Sequence, residues 1–428
     1  MTDASFVRHE ALPPAPPPAS ETGMVHWLRA NLFSGWINSA LTILAILAIY
    51  ALLARIVPWV GNGVWAAESL TQCREVLDGL RGGCFAVISA RWHQLVFGFY
   101  PSEGYWRPLL SFVLLCIALA PVLFDGLPKA LRIVTLLFPF VTYWLIWGGP
   151  LWSPMLVLAA FGVGYLVYER LVDRSFALGF VGGAAALILF LVLLHAPLTD
   201  LLAGIVPLAL PVVESREIGG FLINFILGTT CITLSLPIGI ALALGRQSDL
   251  IVVRWLSVIF IEFIRGVPLI TLLFVANVVL AYFLPPGTTF DLILRVVIMI
   301  TLFASAYIAE VVRGGLAALP RGQYEAADSL GLTYSQMMRF IILPQALKIS
   351  IPGIVNVAIG LFKDTTLVSV ISMFDMIGMI RGPILSSTEW NGIYWELFGF
   401  AAVLFFVFCY AISQYSQYLE QKLKTDHR

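Results

Sequence analysis

The chain has 428 residues, of which 60% are hydrophobic and only 12% are charged, with 25 basic and 25 acidic residues and a mean hydropathy of +0.92. Soluble globular domains carry about 25% charged residues, so this composition excludes a soluble domain and indicates an integral membrane protein. The Lys and Arg residues form no basic face, which argues against a nucleic-acid partner, and the five cysteines and five histidines follow no metal-ligand spacing.

The chain begins with a polar stretch and continues into long apolar ones. Residues 1–30 include the proline-rich stretch LPPAPPPAS and are predicted to form a disordered cytoplasmic tail, because such a sequence cannot bury a core. A helix needs roughly 20 apolar residues to cross a bilayer, so the remainder predicts an all-α polytopic membrane protein with about ten transmembrane helices. The predicted spans cover about 36–57, 109–124, 131–149, 151–168, 176–196, 219–244, 255–283, 290–311, 347–372 and 396–418.

The positions of Lys and Arg predict the orientation, because these residues concentrate in cytoplasmic links. If the N-terminus is inside, the cytoplasmic links and tails contain more than twice as many Lys and Arg residues as the links on the opposite side. Both termini are therefore predicted to be cytoplasmic.

This orientation makes the segment of about 58–108 external. Four tryptophans in it suit the membrane interface: Trp59, Trp65, Trp92 and Trp106. The segment also holds Cys73 and Cys84. Two alternatives are open for these cysteines: a disulfide formed in an oxidising periplasm, or two unlinked thiols.

The character of the chain changes near residue 217. Residues 31–216 form a predicted N-terminal membrane extension, whereas the five spans of residues 217–428 contain several ionisable side chains. A charge at a helix centre costs about 2.5–3.5 kcal/mol, so these side chains need partners or water. The candidates for a substrate pathway or gate are Glu262, Arg265, Lys363, Asp364, Thr365 and Thr366.

Two interpretations of these candidates are open. A basic group, an acidic group and hydroxyls could line a path for a zwitterion, or the charges could form ion pairs that fix helix packing. Glu262 and Arg265 are spaced i,i+3 and can pair on one helical face, which favours a gate or packing role for them. Glu310 and Arg313 have the same spacing and predict a local salt bridge.

Residues 325–344, EAADSLGLTYSQMMRFIILP, form a polar island between the eighth and ninth spans. Pro320 can begin a helix, Gly331 can end it, Thr333 or Ser335 can cap a second helix, and Pro344 is predicted to mark the return to the membrane. Such a pair of helices could dock on a soluble partner or fold back on its own domain. Packing on the membrane domain is the favoured role for the apolar residues of the second helix, which include Met337, Met338, Ile341 and Ile342.

The island resembles a known family motif. Glu325, Ala326 and Ala327, then Gly331 after three residues, then Ile341-x-Leu343-Pro344 after nine more, are similar to the EAA loop of permease subunits in bacterial ABC importers. The stretches FIEFIRGVPLITLLF, SAYIAEVVRGGLAALPRGQYEAA and LFKDTTLVSVIS resemble the branch that transports polar amino acids. The resemblance covers residues 217–428, and the long extension is similar to the larger permease of general L-amino-acid systems.

The resemblance implies a permease core in residues 217–428 with a cytoplasmic coupling loop at about 312–346. It implies a translocation subunit of the bacterial inner membrane rather than an enzyme, embedded in the lipid bilayer. The partners it implies are ABC ATPase subunits, a second permease, a periplasmic amino-acid-binding protein and an L-amino-acid substrate. The coupling contacts it implies are Gln323, Glu325, Ala326, Ala327, Gly331, Leu343 and Pro344.

The sequence also bears on the source of energy. None of the five lysines lies in the Gly-Lys-Ser/Thr context of a P-loop, so no cofactor is expected in this chain, and ATP and Mg²⁺ are expected on the partner subunits. Two alternatives to an ATP-driven importer are an ion-coupled secondary transporter and a membrane scaffold subunit. Secondary transporters usually contain repeats in both halves, and the two halves of this chain differ in polarity.

Overall fold

The computed structural model of the protein describes residues 23–124, 126–279 and 291–424. Within these ranges the chain is almost entirely helical, with one sheet of two short strands. Residues 1–86 and 87–428 form two compact units, and the two are described one after the other.

The first unit contains one long apolar helix and a short folded segment. Its helices are α1 (Met24–Asn31), α2 (Trp36–Gly61) and α3 (Leu70–Leu77). Residues 1–22 of the predicted tail lie outside the described residues, and the rest of that tail is helical in α1 rather than disordered. Helix α2 is long and apolar enough to cross a membrane.

A disulfide and backbone hydrogen bonds fold the segment after α2 onto the end of that helix. Cys73 and Cys84 are joined, with 5.8 Å between their Cα atoms, which decides between the two alternatives that the sequence leaves open. The amide of Val64 donates to the carbonyl of Gly83 at 2.8 Å, and the amide of Gly83 donates to that of Trp59 at 2.8 Å. The segment is therefore fixed at both of its ends.

The second unit begins with the rest of the extension. Helix α8 continues through a π-helical turn into α9. Strands β1 and β2 pair antiparallel, which brings the segment before α7 beside the segment after α9. The elements are α4 (Ala86–Phe97), α5 (Trp106–Leu123), α6 (Arg132–Trp147), β1 (Gly149–Pro150), α7 (Trp152–Val172), α8 (Phe176–Leu189), α9 (His195–Ile205) and β2 (Ala209–Leu210), with short 3-10 turns at Ser102–Gly104 and Lys129–Leu131.

The core of the second unit follows. Its helices are α10 (Gly220–Arg246), α11 (Ile251–Gly266), α12 (Leu269–Phe274), α13 (Leu292–Ala317), α14 (Arg321–Ser329), α15 (Tyr334–Met337), α16 (Leu343–Asp364), α17 (Met376–Met379) and α18 (Trp395–Lys424). Helices α10 and α13 pack along each other, and α16 packs against α13 and α18. Shorter π or 3-10 segments follow α12, α15, α16 and α17.

The predicted spans agree with the helices except at the seventh. In the described part, nine helices are long and apolar enough to cross a membrane, and the pair α11 and α12 would make a tenth. The sequence predicts a span at about 255–283 with a kink at Pro268, and the structure divides it into α11 and α12 with a bend of 102° between them. Pro268 lacks an amide donor and restricts the residue before it, which ends α11. Residues 280–283 of that predicted span, and 284–290 after it, lie outside the described residues.

Pro344 lies at the start of a membrane span, where the sequence predicts the return to the membrane. One helical segment of 38 residues runs from Tyr334 to Ile371. Pro344 occupies the first turn of α16, directly after the π-helical segment Met338–Ile342. A proline is tolerated in the first turn of a helix, and the second island helix therefore leads into the membrane span without a break.

A buried arginine fixes the segment of the extension that leads into the core. The Arg107 side chain is only 3% exposed. Its Nε donates to the carbonyl of Leu145 at 2.6 Å, and both terminal nitrogens donate to the carbonyl of Pro211 at 3.0 Å. Because a buried charge without partners is costly, these carbonyls hold the start of α5, the end of α6 and the link to the core in one arrangement.

Three glycines let three chain segments cross closely, and we name them the glycine crossing: Gly98, Gly219 and Gly220. A Cβ on Gly98 would lie 2.4 Å from the Cα of Gly219, and one on Gly219 would lie 2.6 Å from the carbonyl oxygen of Phe374. Gly98 and Gly220 also have positive φ angles, and the Gly220 amide donates to that same Phe374 oxygen at 2.8 Å. Only glycine fits so close a backbone contact.

Candidate functional site

Helices α14 and α15 form a two-helix loop with a turn at Gly331. Gly331 has φ +73°, its amide donates to Asp328 at 2.9 Å, and the amide of Leu332 donates to Ala327 at 3.3 Å. These bonds form a Schellman cap, as the glycine pattern predicts. Thr333 and Gln336 then cap α15 reciprocally in a capping box. The turn is therefore fixed by local hydrogen bonds.

The predicted coupling residues divide between an outer and an inner face of the two-helix loop. Glu325 and Ala326 are exposed, whereas Ala327 is fully buried. The sequence predicts Ala327 at the docking surface; the structure instead places it in a core cluster with Val312 and Ile342. Gln323 is exposed and accepts a hydrogen bond from Gln345, and Leu343 and Pro344 lie at the junction with the span.

The apolar residues of α15 and its π-helical extension face inward. Met337, Met338 and Ile342 are buried in the same cluster, against Ala243 and Ile308 of the membrane helices. This agrees with the favoured role for these residues, which is packing on the domain. The two-helix loop is thereby a rigid projection of the helical core.

Two apolar residues at the tip of the two-helix loop were not predicted. Leu330, directly before Gly331, is 74% exposed, and Tyr334 is 61% exposed. Large apolar side chains on an otherwise polar tip are typical of a contact surface. A signal was present in the sequence, since each of the two flanks the glycine turn. The outer face therefore consists of Glu325, Ala326, Leu330, Gly331 and Tyr334.

A second constellation, the Glu310 cluster, lies where α10, α11 and α13 meet. Glu310 accepts from Arg246 at 2.6 Å and from Arg313 at 3.0 Å, and it lies 3.6 Å from a terminal nitrogen of Arg265. Arg246 also binds Glu262 at 2.9 Å. Three guanidinium groups thus converge on one carboxylate that is only 16% exposed.

The cluster confirms one predicted pair and replaces another. Glu310 and Arg313 form the local salt bridge that their spacing predicts. Glu262 and Arg265 do not pair with each other: Glu262 binds Arg246 of α10, and Arg265 approaches Glu310 and lies over the ring of Tyr307 at 5.6 Å. Charges on other helices compete with the i,i+3 neighbour, so the cluster joins three helices instead of bracing one.

The remaining candidates lie near the opposite end of α10. Thr365 is fully buried, donates to the carbonyl of Phe362 at 2.7 Å and accepts from Asn224 at 3.0 Å. Asn224 and Arg246 are separated by 22 positions of one helix, or roughly 33 Å. The structure therefore splits the predicted pathway set, because a single amino acid is too small to contact both groups.

Lys363, Asp364 and Thr366 surround that buried threonine. Lys363 is exposed and Asp364 is partly buried, and neither forms a salt bridge within 4 Å to any described residue. The Thr366 hydroxyl donates to the carbonyl of Lys363 at 2.8 Å. The two charged side chains are thus available to a ligand of either sign.

Asn224 and Asp375 form a buried polar cluster that sequence reasoning missed. The Asn224 amide donates to Asp375 Oδ2 at 3.2 Å, and its oxygen accepts from the amide of Met376 at 3.1 Å. Asp375 also accepts from the amides of Ile377 and Gly378. Burial raises the pKa of this carboxyl, which lies between two spans, to about 6 despite those bonds. No motif marks these residues, since each is a single polar residue among apolar ones.

Comparison with known proteins identifies similar chains. The family model described as binding-protein-dependent transport system inner membrane component matches residues 235–425. The glutamate/glutamine/aspartate/asparagine transport system permease protein BztC of Rhodobacter capsulatus is 54% identical over 438 residues, covering 100% of both chains. The inner membrane amino-acid ABC transporter permease protein YhdY of Escherichia coli is 36% identical, covering 96% of each chain.

A solved structure of an amino acid ABC transporter with histidines is also similar. It matches with a TM-score of 0.43 and 30% identity, covering 47% of this chain and 92% of that one. The similarity to BztC and YhdY covers the extension as well as the core.

Proposed function

The chain belongs to the family of inner-membrane components of binding-protein-dependent transport systems, and from this we propose that it is the permease subunit of an ATP-driven amino-acid importer. The observation that carries the proposal is the 54% identity, over the whole chain, to a permease of such a transport system. The predicted family and the multi-pass helical fold are thereby confirmed. The chain is the translocation subunit, and hydrolysis of ATP takes place on separate subunits, which would bind ATP and Mg²⁺.

Acidic amino acids and their amides are the proposed cargo. This follows from the relative that is named for glutamate, glutamine, aspartate and asparagine. Lys363 and Asp364 support the proposal, because they offer opposite charges and neither forms a salt bridge with a described residue. A zwitterion needs one group of each sign. A periplasmic amino-acid-binding protein would deliver the substrate, and a second permease would complete the path.

The outer face of the two-helix loop is the proposed docking site for the ATPase. Its support is structural: the face projects from a buried cluster, its turn is fixed by hydrogen bonds, and it combines the Glu325 carboxylate with exposed Leu330 and Tyr334. The Glu310 cluster lies on the same side of the core, at the end of the helix that leads into this loop. Closure of the ATPase subunits would thus reach α10 and α11 through α13.

The proposed orientation places both termini in the cytoplasm. The bias of Lys and Arg supports it, and the Cys73–Cys84 disulfide supports it because disulfides persist in an oxidising periplasm. Labelling of single added cysteines at residues 173 and 216 in intact cells tests it. A membrane-impermeant maleimide should label position 216 only. Labelling at position 173 alone would indicate the opposite orientation.

The proposed coupling is tested by co-purification from gently solubilised membranes. Tagged wild-type chain should recover an ATPase and a second permease, and Glu325→Lys should weaken recovery of the ATPase. Glu169→Lys is the matched control, because it makes the same charge change at an exposed position in the extension. Equal recovery of the ATPase by wild type and both variants would argue against docking at this face.

A further inference from the structure

A cavity in the first unit is lined by three arginines. It lies beside the end of α2, has a volume of about 680 Å³ and is bounded by Arg55, Arg74 and Arg81 together with apolar side chains. Those apolar walls are Trp59, Leu77 and Leu80. The three arginines come from different segments: α2, α3 and the loop before Cys84.

The walls of this arginine cavity are held in place by covalent and hydrogen bonds. Cys73, next to Arg74, is joined to Cys84, and the carbonyl of Arg81 accepts from the Asn62 side chain at 3.2 Å. The ring of Phe85 contacts that of Trp59, with 5.1 Å between centroids. The backbone that carries the three arginines around this cavity is therefore fixed.

The lining of the arginine cavity carries positive charge and no negative charge. No carboxylate lines the arginine cavity, and among the described residues no acidic side chain forms a salt bridge with any of the three arginines. Like charges held together repel each other, and an anion between them relieves that repulsion. Guanidinium groups bind phosphate oxygens with paired, charge-assisted hydrogen bonds.

The position of the cavity selects a phosphate that belongs to a lipid. Arg55 lies six positions before the end of a 26-residue apolar helix, about 9 Å along its axis, which is the level of the headgroups if the helix spans the bilayer. Trp59 lies at that level too, and tryptophans are enriched there. The apolar walls suit a ligand that carries an acyl chain as well as a charge.

We propose that the arginine cavity binds the phosphate of an anionic phospholipid, and that the lipid joins α2 to the disulfide-linked segment. An arginine at the membrane surface favours binding of an anionic lipid over a neutral lipid by about fivefold, so three arginines together give a large preference for the anionic lipid. Neither the substrate nor the ATPase takes part in this contact, so the proposal does not depend on the transport function.

The test uses the purified full chain in nanodiscs of phosphatidylcholine with a minor fraction of phosphatidylglycerol. Bound lipid is counted by native mass spectrometry after mild extraction. Wild type should retain phosphatidylglycerol in preference to phosphatidylcholine, and the combined variant Arg55→Gln, Arg74→Gln, Arg81→Gln should lose the preference. The control variant neutralises three exposed arginines elsewhere, Arg29→Gln, Arg170→Gln and Arg174→Gln, and should behave as wild type.

Several results would overturn the proposal. These are an equal retention of both lipids by wild type, a loss of phosphatidylglycerol in the control as large as in the cavity variant, or a preference that survives in the cavity variant. Displacement of phosphatidylglycerol by inorganic phosphate or by glutamate at equal concentration would show a site for a free anion instead. If the combined variant fails to fold, Arg74→Gln alone should lower the preference about fivefold.

Discussion

Replacement of Glu310 by glutamine should destabilise the membrane core more than replacement of any other residue of the Glu310 cluster. The substitution keeps the size of the side chain and removes its charge. Arg246, Arg265 and Arg313 would then face one another around a neutral amide, with Glu262 as the only remaining carboxylate of the cluster. The loss of stability arises from the broken salt bridges to Glu310 and from new repulsion between the guanidinium groups.

The size of the effect follows from the geometry. Glu310 binds two arginines directly, Arg246 at 2.6 Å and Arg313 at 3.0 Å, and makes a third, longer contact to Arg265 at 3.6 Å. Charged hydrogen bonds contribute about 1.5–3 kcal/mol when sheltered and about 0.2–1 kcal/mol when exposed. Because this site is partly exposed, each of the two directly bonded Glu310–arginine pairs contributes about 1 kcal/mol. Glu310→Gln should therefore lower the free energy of unfolding by about 2–3 kcal/mol.

Glu262→Gln is the matched comparison. Glu262 is 54% exposed and makes one contact, to Arg246 at 2.9 Å, so its loss should cost only about 0.5 kcal/mol. The free energy of unfolding is measured for wild type and both variants by titration of detergent-solubilised protein with a denaturing detergent. An effect of Glu310→Gln no larger than that of Glu262→Gln would refute the view that Glu310 organises the cluster.

Three further outcomes are expected. Gly331→Trp should insert into the membrane normally yet recover about tenfold less ATPase in a pull-down, whereas Gly331→Asn, which tolerates a positive φ, should recover nearly as much as wild type. Folding raises the pKa of Asp375 from 3.8 to about 6, so the folded state favours the protonated carboxyl. The protonated carboxyl therefore adds about 3 kcal/mol to the free energy of unfolding below pH 4, and this stabilisation is lost as the pH rises through 6. Unfolding measured at several pH values should show this slope in wild type and not in Asp375→Asn. Lys363→Ala and Asp364→Ala should each reduce uptake by reconstituted complex while unfolding as wild type does; unchanged uptake would remove both residues from the pathway.

Local patterns in the sequence predicted much of the fold, because a membrane helix is recognised by its own composition. The positions of the spans and the glycine cap of the two-helix loop depend on residues close together in the chain. Pro344 could be placed at the start of a span for the same reason, because the first turn of a helix accepts a proline.

The candidate site was harder to predict because its contacts join distant residues. Glu262 has an arginine three positions away, yet it binds Arg246 on another helix. Asn224 and Asp375 meet only after the chain has folded, and neither stands in a motif. Spacing along one helix can identify possible partners, but only the packing of helices decides among them.

The glycine crossing has a consequence for the order in which the protein is made. Gly98 leaves the ribosome well before Gly219, and Phe374 follows much later, yet the three segments contact one another directly through their backbones. The backbone contacts of the glycine crossing are therefore completed only after the C-terminal half has been inserted. Arg107 is satisfied earlier, because its acceptors Leu145 and Pro211 both precede Gly219 in the chain. A chain that stalls before the last spans would instead leave the Gly220 amide without its Phe374 acceptor, and an unsatisfied backbone amide is a feature that membrane quality control could detect.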